Sequence, residues 1–334
     1  MSFYDRPSMI KAAHAFWETH GQPFPVLAKR MFSTGGGNRN DSTLVRAVMG
    51  DFHWQEDRRP YYDIYSSVLD AFANTQLDLD AKYVKLPMDV LLIRCPRGNN
   101  IKFDGHELRT ILVNDHDRLT ERTVRYISEI SGLSQDEIRP TELHNNLTVF
   151  ADFGGVQRVD NPKLQFGGSG VIVHDNTVRL PSMHCMSVPT AAGVNVEDMV
   201  KSHTDYKLND VYPDRPDVLE QLYKVIRIVV AVCLVGHNPR LVEPIVLDKD
   251  QLEFNRTRDE KLVKKAVEKG KRGWAIGRQL VKATGVVQPY WAIRWTGPGR
   301  QLPQLRPISG YVFQREKLGE IPTGYLDELE KPAT

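Results

Sequence analysis

The stretch "PDVLEQLYKVIRIVVAVCLV", Pro216–Val235, contains most of the longest apolar run of the chain, which extends over 226–236. Its length and apolar character predict a helix, which Pro239 ends because proline cannot continue one. The β-branched centre, 225–230, also fits a strand. The run is about half as long as a membrane span. With 334 residues, of which 41% are hydrophobic, the chain is able to bury a core.

Working outward from this stretch, hydrophobic periodicity predicts a mixture of helices and short strands. Helices are predicted over 8–20, 43–49, 62–73, 120–130, 216–235 and 258–269. Strands are predicted over 90–94, 147–153, 170–174, 177–180, 184–188, 245–247, 291–295 and 311–314. The segment between the last two strands carries Pro298, Pro303 and Pro307, which predict a loop. The pattern indicates an α+β fold.

Basic charge is concentrated near the end of the chain. The segment 256–317 holds 15 Lys and Arg against four acidic residues, whereas the rest of the chain holds 29 of its 44 basic and 38 of its 42 acidic residues. Such asymmetry points to a polyanionic partner. It predicts an acidic α+β body over 1–255, a small basic, aromatic-rich α/β module over 256–318 and an acidic tail over 319–334.

Cysteine use and the N-terminus limit the class of protein. Cys95, Cys185 and Cys233 are far apart, so neither a disulfide framework nor a cysteine zinc site is predicted. The first residues, "MSFYDRPSMIKAAHAF", place an acid and a proline where a signal peptide requires a basic start and an apolar centre. We therefore expect a cytoplasmic protein that has no membrane partner.

The basic segment contains "YWAIRWTGPGR", residues 290–300, in which aromatic and basic side chains alternate before a turn. On a strand, Trp291 and Trp295 share one face with Ile293, and Arg294 lies on the other. If the tryptophan face is exposed, it is a stacking surface for unpaired bases. Alternatively, it packs into a core and the cations form a solvated rim. The candidate nucleic-acid-binding residues are Arg272, Arg278, Lys282, Tyr290, Trp291, Arg294, Trp295, Arg300 and Arg306.

The segment "RGWAIGRQLVKATGVVQPYWAIRWTGPGRQLPQLRPISG", residues 272–310, resembles the C-terminal module of uncharacterised proteins of phages, plasmids and other mobile elements. The likeness lies in the Gly-Pro-Gly-Arg turn at 297–300 and the pair Pro307 and Gly310. The strand departs from that module, since Tyr290-Trp291 stands where a histidine is usual. The resemblance implies a mobile-element context and no established activity.

The stretch "VLDKDQLEF", residues 246–254, is the catalytic candidate. Asp248 and Asp250 follow a predicted strand, and Glu253 comes one turn later if a helix begins there. Carboxylates in this pattern can hold Mg²⁺ for phosphodiester cleavage. The alternative is an exposed acidic turn that favours the N-terminus of the basic helix after it.

Three functions follow from these patterns. The first is a nucleic-acid-binding protein, for which we expect RNA or single-stranded DNA before duplex, with no certain cofactor. The second is a Mg²⁺-dependent nuclease that uses Asp248, Asp250 and Glu253. The third is a structural or assembly protein whose basic module docks on an acidic protein surface, including that of a second copy.

Overall fold

The computed structural model describes residues 50–132, 134–138, 145–159, 178–198, 216–236, 241–276, 290–296, 299 and 302–308. The strands are β1 (Tyr61–Ile64), β2 (Val90–Arg94), β3 (Lys102–Phe103), β4 (His106–Glu107), β5 (Thr110–Asp115), β6 (Asn146–Val159), β7 (Val178–Pro189), β8 (Val242–Pro244), β9 (Gly273–Ile276), β10 (Tyr290–Thr296) and β11 (Leu302–Ile308). The helices are α1 (50–56), α2 (Ser66–Asn74), α3 (His116–Ser131), α4 (Gln135–Ile138), α5 (Pro216–Val235), α6 (Gln251–Thr257) and α7 (Glu260–Glu268). Short 3₁₀ helices lie at Ala81–Tyr83 and Asp248–Asp250.

Seven strands form one mixed sheet in the order β7-β6-β5-β2-β1-β9-β8. The central strand β1 is parallel to both β2 and β9, while the other neighbours in the sheet are antiparallel. Two small antiparallel pairs, β3–β4 and β10–β11, stand outside it. The combination of helices with a mixed sheet confirms the predicted α+β fold.

The helix α5 is the centre of the larger core. The structure confirms the predicted helix at both of its bounds, and the alternative of a strand over its β-branched centre is wrong. It packs against α2 and β11, and Ile226, Val229 and Val230 are fully buried. The polar residues Asp217 and Glu220 near its start are exposed, whereas the apolar second half of the helix, from Ile228 to Cys233, is buried on all sides. The enclosure outweighs the modest helix propensity of valine and isoleucine.

The opposite face of the sheet carries a smaller apolar cluster under α1 and α3. Trp54 of α1 packs there with Leu119 of α3 and with sheet residues that include Tyr61 and Phe150. The indole N–H of Trp54 donates to the carbonyl of Pro60 at 2.7 Å, which satisfies its only polar group. The sheet therefore lies between two helical layers.

Several predicted elements other than α5 have the expected type and position, among them the strands over 147–153 and 291–295, which lie within β6 and β10. The strand over 90–94 is confirmed as β2. The helix over 120–130 is confirmed within α3, which begins earlier because the Asp115 carboxylate accepts a hydrogen bond from the N–H of Arg118. Gly132 caps this helix with φ +68°, a conformation that glycine adopts without strain. The strands predicted over 177–180 and 184–188 form one continuous strand, β7.

Two predicted elements are wrong in type or position. The segment predicted as a helix over 62–73 begins as β1, where Tyr61 and Tyr62 pair with both neighbouring strands, and becomes helical only at α2. The helix predicted over 258–269, by contrast, is confirmed as α7, which begins two residues later because Arg258 has φ +53° and ends α6. The strand predicted over 245–247 lies instead at β8, three residues earlier.

The predicted loop with Pro303 and Pro307 is also wrong, because both prolines lie within β11. They are four residues apart, opposite Trp295 and Trp291 of β10. Residues separated by an even number of positions in a strand direct their N–H groups to the same side, so these two prolines remove donors from one side only. Among the described strands β11 pairs with β10 alone, and an edge strand of this kind can contain proline.

Several predictions fall outside the described residues. These are the helices over 8–20 and 43–49, the strands over 170–174 and 311–314, and the acidic tail over 319–334. The predicted boundary between body and basic module falls between β8 and β9, which pair with each other in the main sheet. The first part of the basic segment is therefore built into the same sheet as the body. Of the helices in the described ranges, none combines the length and the apolar character needed for a membrane span.

Gly273 opens β9 directly opposite the buried Tyr61. A Cβ atom at this position would overlap the ring of Tyr61. We expect Gly273→Ala to lower the free energy of unfolding by about 1–3 kcal/mol, measured by urea denaturation, because the ring or the strand must shift. Gly132→Asn is the matched control, since its position is open and asparagine tolerates positive φ. Equal stability of the two variants would contradict this packing.

Candidate nucleic-acid interface

The β10–β11 ribbon places the central part of the "YWAIRW" stretch on an antiparallel hairpin. Ile293 lies opposite Leu305, and Arg294 lies opposite Gln304. Because side chains alternate along a strand, one ribbon face carries Ile293, Trp295 and Leu305. The other carries Arg294, Gln304 and Arg306. We refer to these as the inner and outer faces of the ribbon.

The inner face packs onto the body. Leu305 is 1% exposed, and the half-buried Ile293 packs against the larger core cluster. The ribbon contacts α2 through β10 and α5 through β11. Burial of these apolar side chains attaches the ribbon to the two helices. At the centre of the inner face, Ile293 and Leu305 therefore pack into the core, as the alternative interpretation of this strand expects.

The outer face presents two arginines to solvent. Arg294 and Arg306 are both exposed, on neighbouring strands of the same face. Arg306 donates through Nε and Nη2 to the side-chain oxygen of Gln304, at 3.2 and 2.9 Å. Within the described part of the chain, neither arginine forms an ion pair with a carboxylate. Two guanidinium groups in this arrangement can each bind a phosphate oxygen.

Trp295 lies at the rim of the inner face, where the ribbon meets the body. Its ring contacts Tyr83 edge-on, with centroids 5.5 Å apart at 80°, and the side chain remains 41% exposed. The ammonium group of Lys82 lies 5.0 Å from the centre of the Tyr83 ring. Trp295 therefore packs on the body and is still partly exposed to solvent.

Asp80 shapes the charge beside this contact. Its carboxylate accepts hydrogen bonds from the backbone N–H groups of Lys82, at 2.9 Å, and Gly193, at 3.1 Å. These bonds, with the Lys82 ammonium 3.4 Å away, lower the pKa of Asp80 below its ordinary value. Asp80 therefore stays ionised near neutral pH and holds Lys82 close to the ring of Tyr83.

The other predicted binding residues are not brought together in the described structure. Arg272 is half-buried, and one of its guanidinium nitrogens donates to the carbonyl of Asp57 at 2.5 Å, so it joins β9 to the segment after α1. Tyr290 and Trp291 lie on β10, but their side chains are outside the described residues. Arg278, Lys282 and Arg300 are outside them as well.

The predicted catalytic carboxylates point in different directions. Asp248 is 92% exposed and lies 3.6 Å from Lys271 Nζ. Asp250 is 10% exposed, and its two oxygens lie 3.0 and 2.8 Å from Lys265 Nζ. Glu253 is exposed in the first turn of α6. In the described ranges, no group of three or more His, Cys, Asp or Glu side chains is placed to hold a metal ion. The nuclease with bound Mg²⁺ stays a prediction that this geometry does not favour.

The sequence analysis did not select Lys82 and Tyr83. They lie in "AKYVKLP", residues 81–87, where an aromatic ring stands between lysines. That local pattern was the available signal, and it is short. The contact with Trp295 depends on how the ribbon packs against the body, which a local pattern does not report.

Comparison with known proteins assigns the chain to no family. No protein-family model matches the chain, and no curated protein matches it. Among solved structures, one titled "Crystal structure of AcrVA2" is 10% identical, with a TM-score of 0.40. The alignment covers 92% of this chain and 98% of that one.

Proposed function

We propose that this protein binds RNA or single-stranded DNA, with phosphate contacts on the outer face of the β10–β11 ribbon. The observation that carries the proposal is the exposed pair Arg294 and Arg306. They share one face, and neither forms an ion pair with a carboxylate in the described part of the chain. A guanidinium group stays charged at all physiological pH values and matches phosphate geometry with two parallel donors.

The charge distribution of the whole chain supports the same surface. The ribbon belongs to the segment 256–317, which has 15 basic and four acidic residues. Three basic residues of the segment before the ribbon pair with carboxylates. Lys265 pairs with Asp250, Lys271 with Asp248 and Arg258 with Glu243. The ribbon arginines differ from these three, because they are exposed and pair with no carboxylate among the described residues.

A single strand is favoured over a duplex because the ribbon also exposes part of an aromatic ring. Bases in a duplex are stacked on each other, whereas unpaired bases are free to stack on side chains. Trp295 follows Arg294 directly in β10 and is 41% exposed. The resemblance of residues 272–310 to modules of mobile-element proteins leads us to propose a phage or mobile-element context as well.

The salt dependence of binding tests the proposal. We expect Arg294→Ala and Arg306→Ala each to weaken binding of a labelled oligonucleotide single strand and to reduce the slope of log affinity against log salt by about 0.7 to 1 unit. Each variant removes one phosphate contact, with the counterions that this contact displaces. Fluorescence anisotropy titrations at several salt concentrations provide the measurement.

Arg97→Ala is the matched control, because Arg97 is an exposed arginine between β2 and β3, outside the ribbon. Its salt slope should equal that of the wild type. If Arg97→Ala reduced the slope as much as the ribbon variants, binding would reflect overall charge and not this surface. If the wild type bound no nucleic acid at low salt, the proposed function would be wrong.

A further inference from the structure

Three side chains from two distant parts of the chain meet where the ribbon joins the body. Trp295 comes from β10, and Lys82 and Tyr83 come from the 3₁₀ helix Ala81–Tyr83. The Trp295 ring and the Lys82 ammonium both lie within 5.5 Å of the centre of the Tyr83 ring. We infer that they form a stacking site for one unpaired base. This inference rests on the proposed function and deepens it.

Tyr83 is fixed before any ligand arrives. It is partly buried against the larger core cluster, and its backbone N–H donates to the carbonyl of Asp80 at 3.1 Å. Its 3₁₀ helix is capped by the Asp80 side chain. Core packing, this hydrogen bond and the helix cap all restrain Tyr83, so it supports the Trp295 ring in one orientation. A ring that is already ordered loses little conformational entropy when a base stacks on it.

The contact between the two rings leaves room for a base. In an edge-on pair the two ring planes are nearly perpendicular, so the rings do not cover each other as they would in a parallel stack. The angle of 80° between the planes is of this kind. Since Trp295 as a whole is 41% exposed, part of the residue is accessible to a base beside the Tyr83 ring.

The charges around the site suit a nucleotide. Arg294, the neighbour of Trp295 in β10, lies on the outer face, where it is placed to bind the phosphate. In the described sheets β10 pairs only with β11, so its other edge has no partner strand there. A nucleic-acid strand can pass around that edge from Arg294 to Trp295. Lys82 then adds a cation on the inner side, although Asp80 offsets part of its charge.

The ligand class follows from these groups. Stacking and cation contacts act on any base, and no side chain in this group is placed to read the hydrogen-bonding edge of one base. We therefore expect a site that accepts each of the four bases. The expected ligand is a single strand with an accessible base, in RNA or DNA, and not a duplex.

Comparing an ordinary oligonucleotide with an abasic one of the same length tests the inference without any substitution. Both carry the same phosphates, so contacts of the ribbon arginines are equal for the two. We expect the wild type to bind the base-bearing strand about 5- to 150-fold more tightly. Equal affinities would overturn the stacking site and leave the proposed function intact. No binding of either strand would overturn both.

Variants assign the preference to these side chains. Trp295→Ala and Tyr83→Ala should abolish most of the preference for the base-bearing strand and leave abasic binding unchanged within twofold. Tyr83→Phe keeps the ring and should keep the preference, which separates ring packing from the hydroxyl group. If Trp295→Ala fails to fold, a second measurement compares the wild type with Trp295→Phe. It records how strongly the base-bearing strand quenches the tryptophan fluorescence of each protein. The inference would be contradicted if Trp295→Ala kept the full preference for the base-bearing strand. It would also be contradicted if the strand quenched the fluorescence of Trp295→Phe as strongly as that of the wild type.

Discussion

Replacing Glu197 by alanine is expected to lower the free energy of unfolding by about 3–5 kcal/mol, the cost of breaking a buried ion pair from one side. Glu197 and Arg227 are 8% and 16% exposed, and their Oε1 and Nη2 atoms lie 3.1 Å apart. The second carboxylate oxygen accepts a hydrogen bond from the backbone N–H of Leu77 at 3.0 Å. The variant would leave the largely buried guanidinium of Arg227 and the buried N–H of Leu77 without the carboxylate oxygens that they contact in the wild type.

Urea denaturation of Glu197→Ala against Glu220→Ala measures this effect. Glu220 forms an ion pair with Lys224 within α5, at 3.9 Å, but its side chain is 52% exposed. Its loss should change stability by less than about 0.5 kcal/mol, because exposed pairs are screened by solvent. Glu197→Gln should fall between the two, since its amide oxygen can still accept one hydrogen bond. A Glu197→Ala protein as stable as Glu220→Ala would contradict the contacts described here.

Reversing both charges on the outer face of the ribbon should have the largest effect on binding. Each charge-assisted contact to a phosphate contributes about 1.5–3 kcal/mol. The double variant Arg294→Glu/Arg306→Glu removes two such contacts and adds repulsion, so we expect affinity for a single strand to fall by about 100-fold or more. The salt slope should decrease by about 1.4 units or more.

Both positions are exposed, so the double variant should keep the stability of the wild type within about 0.5–1 kcal/mol. A thermal melt on the same preparation provides that control. Arg294→Lys/Arg306→Lys preserves charge and should keep the salt slope, while affinity falls because lysine cannot donate two parallel hydrogen bonds to a phosphate. Binding by the charge-reversal variant with wild-type affinity would exclude the outer face as the phosphate site.

The sequence predicts the parts of the fold that depend on strong local patterns. The helix over Pro216–Val235 is predicted because it contains most of the longest apolar run of the chain and because Pro216 and Pro239 mark its limits. The strand β2 is evident because an apolar run of four residues, Val90 to Ile93, is followed closely by Pro96. These elements would be buried in almost any arrangement of the chain, so no long-range information is needed to identify them.

The errors occur where tertiary contacts outweigh the local pattern. Tyr62 and Ile64 fit the helical spacing of the residues after them, yet they lie between two parallel neighbours at the centre of the sheet. Pro303 and Pro307 indicate a loop, because proline is tolerated in a strand only where one side has no partner. The sequence does not show how many partners a strand has. The order of strands in the sheet was not predictable either, because β9 joins β1 from a distant part of the chain.

The candidate site was predicted in part for the same reason. The basic charge of this region follows from composition, since Arg294 and Trp295 lie in the segment that concentrates positive charge. The division of its side chains between an inner face on the body and an outer face in solvent required the packing of Ile293 and Leu305. The roles of Tyr83 and of Lys265, which holds the buried Asp250, depend on contacts between separate elements.

The central claim is that the ribbon is the surface that holds single-stranded nucleic acid. Photo-cross-linking of the wild type to an oligonucleotide that carries iodouridine, followed by mass spectrometry of the cross-linked peptides, tests it most directly. We predict cross-links within β10 and β11 and at Tyr83. The yield of these cross-links should fall when unlabelled single strand is added and when the salt concentration is raised. Cross-links confined to other parts of the chain, or none under conditions where the strand is bound, would contradict the account.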